Sequence, residues 1–199
     1  MSINLNKGSR FNLQKASPGL IHIGVGLGWD PNETPGGPAF DLDASAFMVG
    51  NNYKIPADGY FVFYGNQISA DAAVRSSGDD QTGGNSDTGD DETLFLDLPN
   101  VSPLIEQIVF TATICKYPND SKKDIRTKEL NFGMVNNCYI RIFNQDNEEE
   151  LLKYNLKEKF NNEDALEFGR LYRTGDSWEF EAMGRGSIGS LEVLVEMYT

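Results

Sequence analysis

The segment Leu20-Ile21-His22-Ile23-Gly24-Val25-Gly26-Leu27 decides the fold class, because its aliphatic residues recur at every second position after residue 20. In an extended chain, successive side chains point to opposite faces. The aliphatic residues from Ile21 to Leu27 would therefore share one face, and the small or polar residues would occupy the other. This is the period of a β-strand that buries one side.

Similar short alternating runs recur along the chain, at residues 59–64, 93–98, 107–115 and 138–144. The segment Glu163–Arg173 also alternates, and Thr174-Gly175-Asp176-Ser177 leads from it into Trp178–Ala182, which predicts a hairpin. Gly, Pro, Asn and Asp separate these runs. We therefore predict an all-β protein: one antiparallel β-sandwich of two sheets over residues 1–199, with long acidic metal-binding loops and little helix.

Composition and charge exclude several classes of function. The chain has 199 residues, 39% of them hydrophobic, and 17 Lys+Arg against 30 Asp+Glu give a net charge of −13. An acidic protein without a basic stripe is a poor ligand for nucleic acid. No apolar run approaches the roughly 20 residues of a membrane-spanning helix, and the first residues lack the apolar core of a signal peptide. We expect no direct membrane insertion and a cytoplasmic location. Cys115 and Cys138 are too few for a disulfide framework, and we expect them to be buried apolar residues.

The loop from Ser76 to Glu92 is the richest source of candidate chemistry. Its acidic residues are Asp79, Asp80, Asp87, Asp90, Asp91 and Glu92. Short Asp side chains between flexible glycines can fold around one point, where their mutual repulsion requires a cation. Carboxylate, amide and carbonyl oxygens are the ligands of hard divalent cations, and calcium accepts an all-protein cage more readily than magnesium.

A second acidic element lies at Phe40–Phe47. In an extended segment, Asp41 and Asp43 would lie side by side while Leu42 points into the core. Asp30 lies at the end of the predicted strand that contains Val25. The spacing is not that of an EF-hand, and the single histidine, His22, disfavours a transition metal. These residues predict a calcium site built from separate loops; the alternative is that the loops are merely solvated and confer solubility.

Several blocks in order along the chain resemble the TerD family of tellurium-resistance and stress proteins. The first blocks are Val25–Asp30, Phe40–Phe47, and Gly78–Gly83 leading to Gly89–Glu92. Further blocks follow at residues 137–142, 153–156, 168–173 and 178–180. The resemblance covers essentially the whole chain, which makes it more specific than a lone motif.

The resemblance implies a β-sandwich that binds calcium, typically two ions, through acidic loops at one edge. The corresponding acidic positions are Asp30, Asp41, Asp43, Asp79, Asp90, Asp91 and Glu92, with Asn66, Thr82 and Gly83 as further oxygen donors. The chain departs from the family pattern in a longer segment at 84–88, which adds Asp87, and in Asp80, where Asn is common. The resemblance also implies a role in stress response and tellurite resistance, beside other proteins of the tellurium-resistance gene cluster, some of them membrane proteins.

The function that these expectations favour is a non-enzymatic calcium-binding module whose metal orders an acidic edge for contact with partners. One alternative is a calcium-dependent module that binds a membrane surface. Another is a metal-dependent hydrolase, since paired acids can serve acid–base or two-metal chemistry. Ser45, Ser76 and Ser77 lack the setting of a serine nucleophile, and we expect His22 to be structural.

Overall fold

The computed structural model describes residues 3–84, 89–116, 129–157, 160–175 and 177–199. The strands run, in chain order, β1 Ile3–Asn4, β2 Arg10–Asn12, β3 His22–Gly28, β4 Leu42–Val49, β5 Phe61–Val62, β6 Val74–Ser76, β7 Glu92–Asp97, β8 Gln107–Ile114, β9 Tyr139–Asn144, β10 Glu150–Asn155, β11 Ala165–Thr174 and β12 Ser177–Ser187. The α-helices are α1 Leu13–Ala16 and α2 Ser190–Tyr198, and single 3₁₀ turns lie at Asp58–Tyr60, Leu98–Asn100 and Phe132–Met134.

The strands form two six-stranded sheets, which confirms the predicted mainly-β sandwich. The first sheet has the order β1-β10-β9-β3-β7-β6, and the second has the order β2-β12-β11-β8-β4-β5. All pairs of neighbours are antiparallel except β1 with β10. Because β1 and β2 lie at the edges of different sheets, and so do β5 and β6, the chain crosses between sheets at both sides of the sandwich.

The main core lies between the two sheets. From β3 it takes Ile23, Val25 and Leu27, and from β4 it takes Leu42, Ala44, Ala46 and Met48, all of them buried. The alternation predicted for β3 is therefore confirmed within the strand. Ile21 was assigned to the same buried face, and this is wrong: it precedes β3 and is 42% exposed.

After His22, the outer face of β3 carries only glycines, and aromatic rings lie directly against two of them. A Cβ atom on Gly24 would lie 2.1 Å from Cζ of Phe143, and one on Gly28 would lie 2.4 Å from Cζ of Tyr139. Such distances are far below van der Waals contact. Gly24 and Gly28, which the sequence places on the face of β3 opposite its aliphatic residues, thus leave room for Phe143 and Tyr139 of the neighbouring strand β9.

The predicted hairpin near the C-terminal end is confirmed. β11 and β12 pair in an antiparallel register that closes at Thr174 and Ser177. Gly175 has a φ of 61°, which glycine adopts without the cost that a side chain imposes. The polar stretch Ala70–Asp91, for which the composition predicts one long loop, contains the short strand β6. The composition also predicts a solvated loop at Lys116–Lys128, and residues 117–128 of it lie outside the described residues.

Helix α2 covers part of the outer face of the second sheet. Leu194 and Tyr198 are buried against Phe47 and Val109, in a cluster separate from the main core. The hydroxyl of Tyr198 donates a hydrogen bond to the buried carboxylate of Glu167. This bond fixes the end of the helix to strand β11.

We expect Tyr198→Phe to lower the free energy of unfolding by about 1–3 kcal/mol, because it leaves a buried carboxylate without its donor. Urea unfolding measures this change. The matched control is Tyr172→Phe, which removes a 2.7 Å bond to Glu179 at a half-exposed site. If the two variants lose the same stability, burial of the pair under α2 is not what makes the first bond important.

Candidate metal centre

The alternation of β4 brings two carboxylates together outside the sandwich. Phe40 and Leu42 enter the main core, so Asp41 and Asp43 point to the opposite side. Both acids are nevertheless only 8% exposed. The sequence-based expectation that they lie side by side, with Leu42 directed inward, agrees with this arrangement.

Asp79 completes a group of three carboxylates. It follows β6 in the acidic loop and is exposed, so it stands at the open side of the buried pair. One oxygen from each of Asp41, Asp43 and Asp79 lies within 4.8 Å of the other two. In the part of the chain that the structure describes, these residues are the one such group of three. Oxygens at these separations can share a single cation, since calcium–oxygen bonds are about 2.3–2.6 Å long.

Glu92 connects this group to the other sheet. It is the first residue of β7, in the first sheet, and its side chain is buried. Its Oε2 accepts a hydrogen bond of 2.6 Å from the backbone N–H of Ala44 in β4, and its Oε1 accepts one of 3.2 Å from the N–H of Asp80. One carboxylate therefore joins both sheets and the acidic loop.

The carboxyl groups of the site are costly to ionise. Burial raises the pKa of Asp43 to about 7, with Asp41 and Asp79 adding repulsion. Burial and then Asp79 raise the pKa of Asp41 to about 6, against a hydrogen bond with Cys115. Burial raises the pKa of Glu92 to about 9, although its two backbone donors oppose the shift. A cation among these groups would offset both the loss of hydration and the mutual repulsion of the carboxylates.

Asp80, Thr82 and Gly83 form the turn that carries the loop past Trp29. Oδ1 of Asp80 accepts bonds from the N–H groups of Thr82 and Gly83, at 2.9 and 3.1 Å. Gly83 has a φ of 72°, and a Cβ there would lie 2.3 Å from Nε1 of Trp29. The structure therefore gives these predicted donors a local role in shaping the loop. Asp87 lies outside the described residues.

Asp90 lies away from the three-carboxylate group and is held by a cation of the protein. Nε of Arg141 donates to both of its oxygens at 2.8 Å, and the hydroxyl of Tyr139 donates to Oδ1 at 3.0 Å. The carboxylate fills the space above Gly26, where a Cβ would lie 2.3 Å from its Oδ2. Its charge is thus balanced on the outer face of the first sheet.

Asp30, Asp91 and Asn66 also occupy separate surroundings. Oδ2 of Asp91 accepts from the N–H of Trp29 at 2.8 Å, and Oδ2 of Asp30 accepts from Asn137 at 2.6 Å. Asn66 donates its side-chain amide to the carbonyl of Phe61 at 2.7 Å and so closes the turn after β5. The predicted donors therefore divide into one compact group and several neighbours with partners of their own.

Sequence reasoning missed two residues beside these acids. Cys115 follows β8, and its N–H donates to the carbonyl of Asp41 at 2.8 Å, which places its thiol beside the Asp41 carboxylate. Arg141 is the second. The signal for Cys115 is the register of β4 with β8, which pairs Leu42 with Ile114. That register is not visible in the sequence of either strand alone.

Comparison with known proteins identifies the family. The profile of the TerD domain matches residues 1–198. The chain belongs to the TerD domain family. It is 39% identical over 198 residues to the tellurium resistance protein TerD of Serratia marcescens, covering 100% of this chain and 97% of that protein. It is 38% identical over 198 residues to general stress protein 16U of Bacillus subtilis, covering 100% and 97%.

A solved structure supports the TerD fold of this chain. A crystal structure of a homologue of telluride resistance protein (TerD) from Streptomyces coelicolor superposes with a TM-score of 0.68 at 22% identity, covering 89% of this chain and 96% of that one. At this identity the likeness concerns the fold alone. Separately, none of the helices in the described parts of this TerD-family chain has both the length and the apolar character needed to cross a membrane.

We expect the stability of the metal-free protein to fall relative to Asp43→Asn as the pH rises. A carboxyl whose pKa is higher in the folded than in the unfolded state stabilises the fold fully below its unfolded pKa, and that contribution is lost as the pH passes the folded value. For Asp43 this window runs from the ordinary 3.8 to about 7. Urea unfolding in chelator between pH 4 and pH 8 measures the difference between the two proteins.

Glu149→Gln is the matched control for that titration, because it removes one negative charge at an exposed position in the turn between β9 and β10. Its stability difference from the wild type should stay nearly constant over the same pH range. A constant difference for Asp43→Asn as well would contradict the buried, repelling arrangement of Asp41 and Asp43.

Proposed function

We propose that this TerD-family chain is a non-enzymatic, calcium-binding stress-response protein in which the ion orders an acidic edge for contact with partners. The observation that carries the proposal is the group of Asp41, Asp43 and Asp79, whose oxygens lie within 4.8 Å of one another. Three clustered carboxylates, two of them buried, are an arrangement that a cation stabilises and that water alone does not.

The chemistry of the donors fits a hard divalent cation. Oδ1 of Asp41 is buried and has no hydrogen-bond partner in the described structure, which supports a ligand at that oxygen. The surrounding acids supply oxygen ligands. Calcium is the biological cation that binds oxygen ligands with a variable coordination number. Bound there, calcium would offset two of the three negative charges of Asp41, Asp43 and Asp79 and hold the acidic loop against β4. The carboxylate of Glu92 already connects the same elements, because it accepts hydrogen bonds from the N–H groups of Ala44 and Asp80.

The expected second ion is assigned to the remaining predicted donors. Asp30 and Asp91 flank Trp29, and each accepts a hydrogen bond at the oxygen described above. Asp90 is a weaker candidate for direct ligation through its carboxylate, because Arg141 holds both of its oxygens. The stoichiometry of calcium binding tests this assignment.

The biological setting of the proposal comes from the relatives. Proteins named for tellurium resistance and for general stress are similar to this chain over its full length. We therefore assign it a role in stress response and tellurite resistance, in the cytoplasm. Its partners would be other proteins of the tellurium-resistance gene cluster, among them membrane proteins that it contacts without inserting.

Calcium titration of chelator-stripped protein tests the proposal directly. We expect about two sites with much weaker magnesium binding, because magnesium keeps its own water. At a free calcium concentration of 100 times Kd, one site adds about 2.7 kcal/mol, which corresponds to a rise in Tm of roughly 5–11 °C for a chain of this size. Isothermal calorimetry and thermal unfolding measure the two quantities.

The informative variant is Asp41→Asn with Asp43→Asn, compared with the control Glu149→Gln. The double variant should lose the heat of one site and its share of the Tm rise, while the control retains both. Absence of calcium heat in the wild type would refute the proposal. Turnover of a phosphate ester with magnesium or manganese, abolished by Asp41→Asn, would replace it with a hydrolase.

Comparing Asp90→Asn with Asp41→Asn distinguishes an acid that stabilises the fold from an acid that binds calcium. Because Arg141 holds the Asp90 carboxylate, we expect this variant to lower the free energy of unfolding by about 3–5 kcal/mol, the cost of breaking one side of a buried ion pair. Calcium affinity, measured by calorimetry on the folded fraction, should change less than in Asp41→Asn. An equal loss of calcium affinity in both variants would show that Asp90 is a ligand.

A further inference from the structure

The outer face of the second sheet carries a row of stacked aromatic rings that continues beyond helix α2. Tyr198 of the helix lies 4.8 Å from Phe47, Phe47 lies 4.2 Å from Phe61, and Phe61 lies 4.4 Å from Phe63, measured between ring centroids. Tyr64 then meets Phe63 edge-on at 5.0 Å. The helix buries the first rings of this aromatic row, but Phe63 is only half-buried and Tyr64 is 55% exposed.

A groove lies where the helix ends and the aromatic row continues. Its volume is about 460 Å³, and its apolar walls are Ile55, Phe61, Phe63 and Val195. We call these residues the α2–β5 groove. Ile55, Phe63 and Val195 are each half-buried, so the described structure leaves apolar surface there that a further side chain could cover. Apolar surface of this kind in a concave site is typical of a contact for another molecule.

The charges around the α2–β5 groove are mostly negative. Asp58 lines it. Tyr64 contacts the groove residue Phe63, and burial together with the nearby charges of Asp43 and Glu192 raises the pKa of its hydroxyl. Lys54 is the opposing charge, and its ammonium lies 3.5 Å from the carbonyl of Glu196 at the helix end. An occupant must therefore combine an apolar body with positive charge.

We propose that the α2–β5 groove docks an apolar side chain of a basic amphipathic segment from a partner protein. Charge complementarity selects this occupant. A second copy of this chain would bring another net charge of −13 to an acidic rim. An anionic lipid surface would meet the same acids. A basic helix that places leucine-like residues against Phe63 and Val195 satisfies both the apolar walls and the rim.

This surface stands apart from the calcium proposal. Phe63 and Val195 offer no ligand atoms in their side chains, and the residues that line the groove do not include Asp41, Asp43 or Asp79. The two proposals share Asp43, whose charge lies near Tyr64, and Asn66, a predicted oxygen donor that also lines the groove. Peptide binding should therefore persist in chelator, and a failure of calcium binding leaves the docking test intact.

The test uses a fluorescein-labelled peptide of about 14 residues, composed of Leu and Lys in an order that makes an amphipathic helix. Fluorescence anisotropy gives its Kd for the full chain, in chelator and in calcium. We expect about tenfold weaker binding to Phe63→Ser and to Val195→Ser, and about threefold weaker binding to Asp58→Asn. Amide shifts in NMR spectra should change mainly at residues 55–66 and 190–199.

The controls separate docking from general attraction of a basic peptide to an acidic protein. Leu104→Ser removes an apolar side chain that is 64% exposed and is not among the residues lining the groove, and Glu149→Gln removes a charge elsewhere; both should bind as the wild type does. A peptide of the same composition in scrambled order should bind more weakly. Val195→Ser, at a half-buried helix position, keeps the test valid if Phe63→Ser fails to fold.

Three results would overturn the proposal. The first is equal peptide affinity for the wild type and the groove variants. The second is calcium-independent binding to phosphatidylglycerol vesicles that Phe63→Ser abolishes, which would assign the groove to a membrane. The third is self-association in sedimentation experiments that Phe63→Ser abolishes, which would assign it to a second copy of this chain.

Discussion

The burial of two neighbouring carboxylates on β4 is the constraint on which the rest of the site depends. Leu42 and Ala44 must face the core, so the alternation of the strand leaves Asp41 and Asp43 no choice of side. Removing like charges from water at this spacing is unfavourable unless something compensates. The contacts of the acidic loop, the contacts of the opposite sheet and the proposed ion each lower the free-energy cost of burying these two carboxylates.

Glu92 connects the two sheets at this site. Its carboxylate takes hydrogen bonds from Ala44 in the second sheet and from Asp80 in the acidic loop, while its backbone belongs to the first sheet. A short β5 leaves the beginning of β4 without a neighbouring strand on that side, and Glu92 satisfies the N–H that such a strand would have bound. Fold and site are thus built from the same hydrogen bonds.

Local features of this protein could be predicted from its sequence, whereas long-range pairings could not. The alternation of β3, the hairpin of β11 and β12, and the common side of Asp41 and Asp43 follow from the period of a strand. The pairing of Asp90 with Arg141 does not, because it requires β3, β7 and β9 to be neighbours in one sheet. Ile21 fits the alternation but lies before the strand begins, so its side chain gains no burial.

Helix α2 also depends on contacts with residues that are distant in the sequence. At nine residues it is too short to be stable as an isolated helix, and it is held by tertiary contacts with Phe47 and Val109. The carboxylate of Asp164 accepts from the N–H groups of Gly189 and Ser190 at its start. These partners lie far away in the sequence, which is why the segment gave no clear helix signal.

The short strands at the edges of the two sheets have a consequence for aggregation. The edge strands of the described sheets, β1, β2, β5 and β6, are each two or three residues long. An exposed sheet edge is a template on which another chain can add a strand, and short edges remove most of that template. Strand β8 lies inside the second sheet, and where β5 does not reach the beginning of β4, Glu92 accepts the hydrogen bond of the Ala44 N–H. The described sheets therefore offer another copy of the chain little uninterrupted edge on which to add a strand.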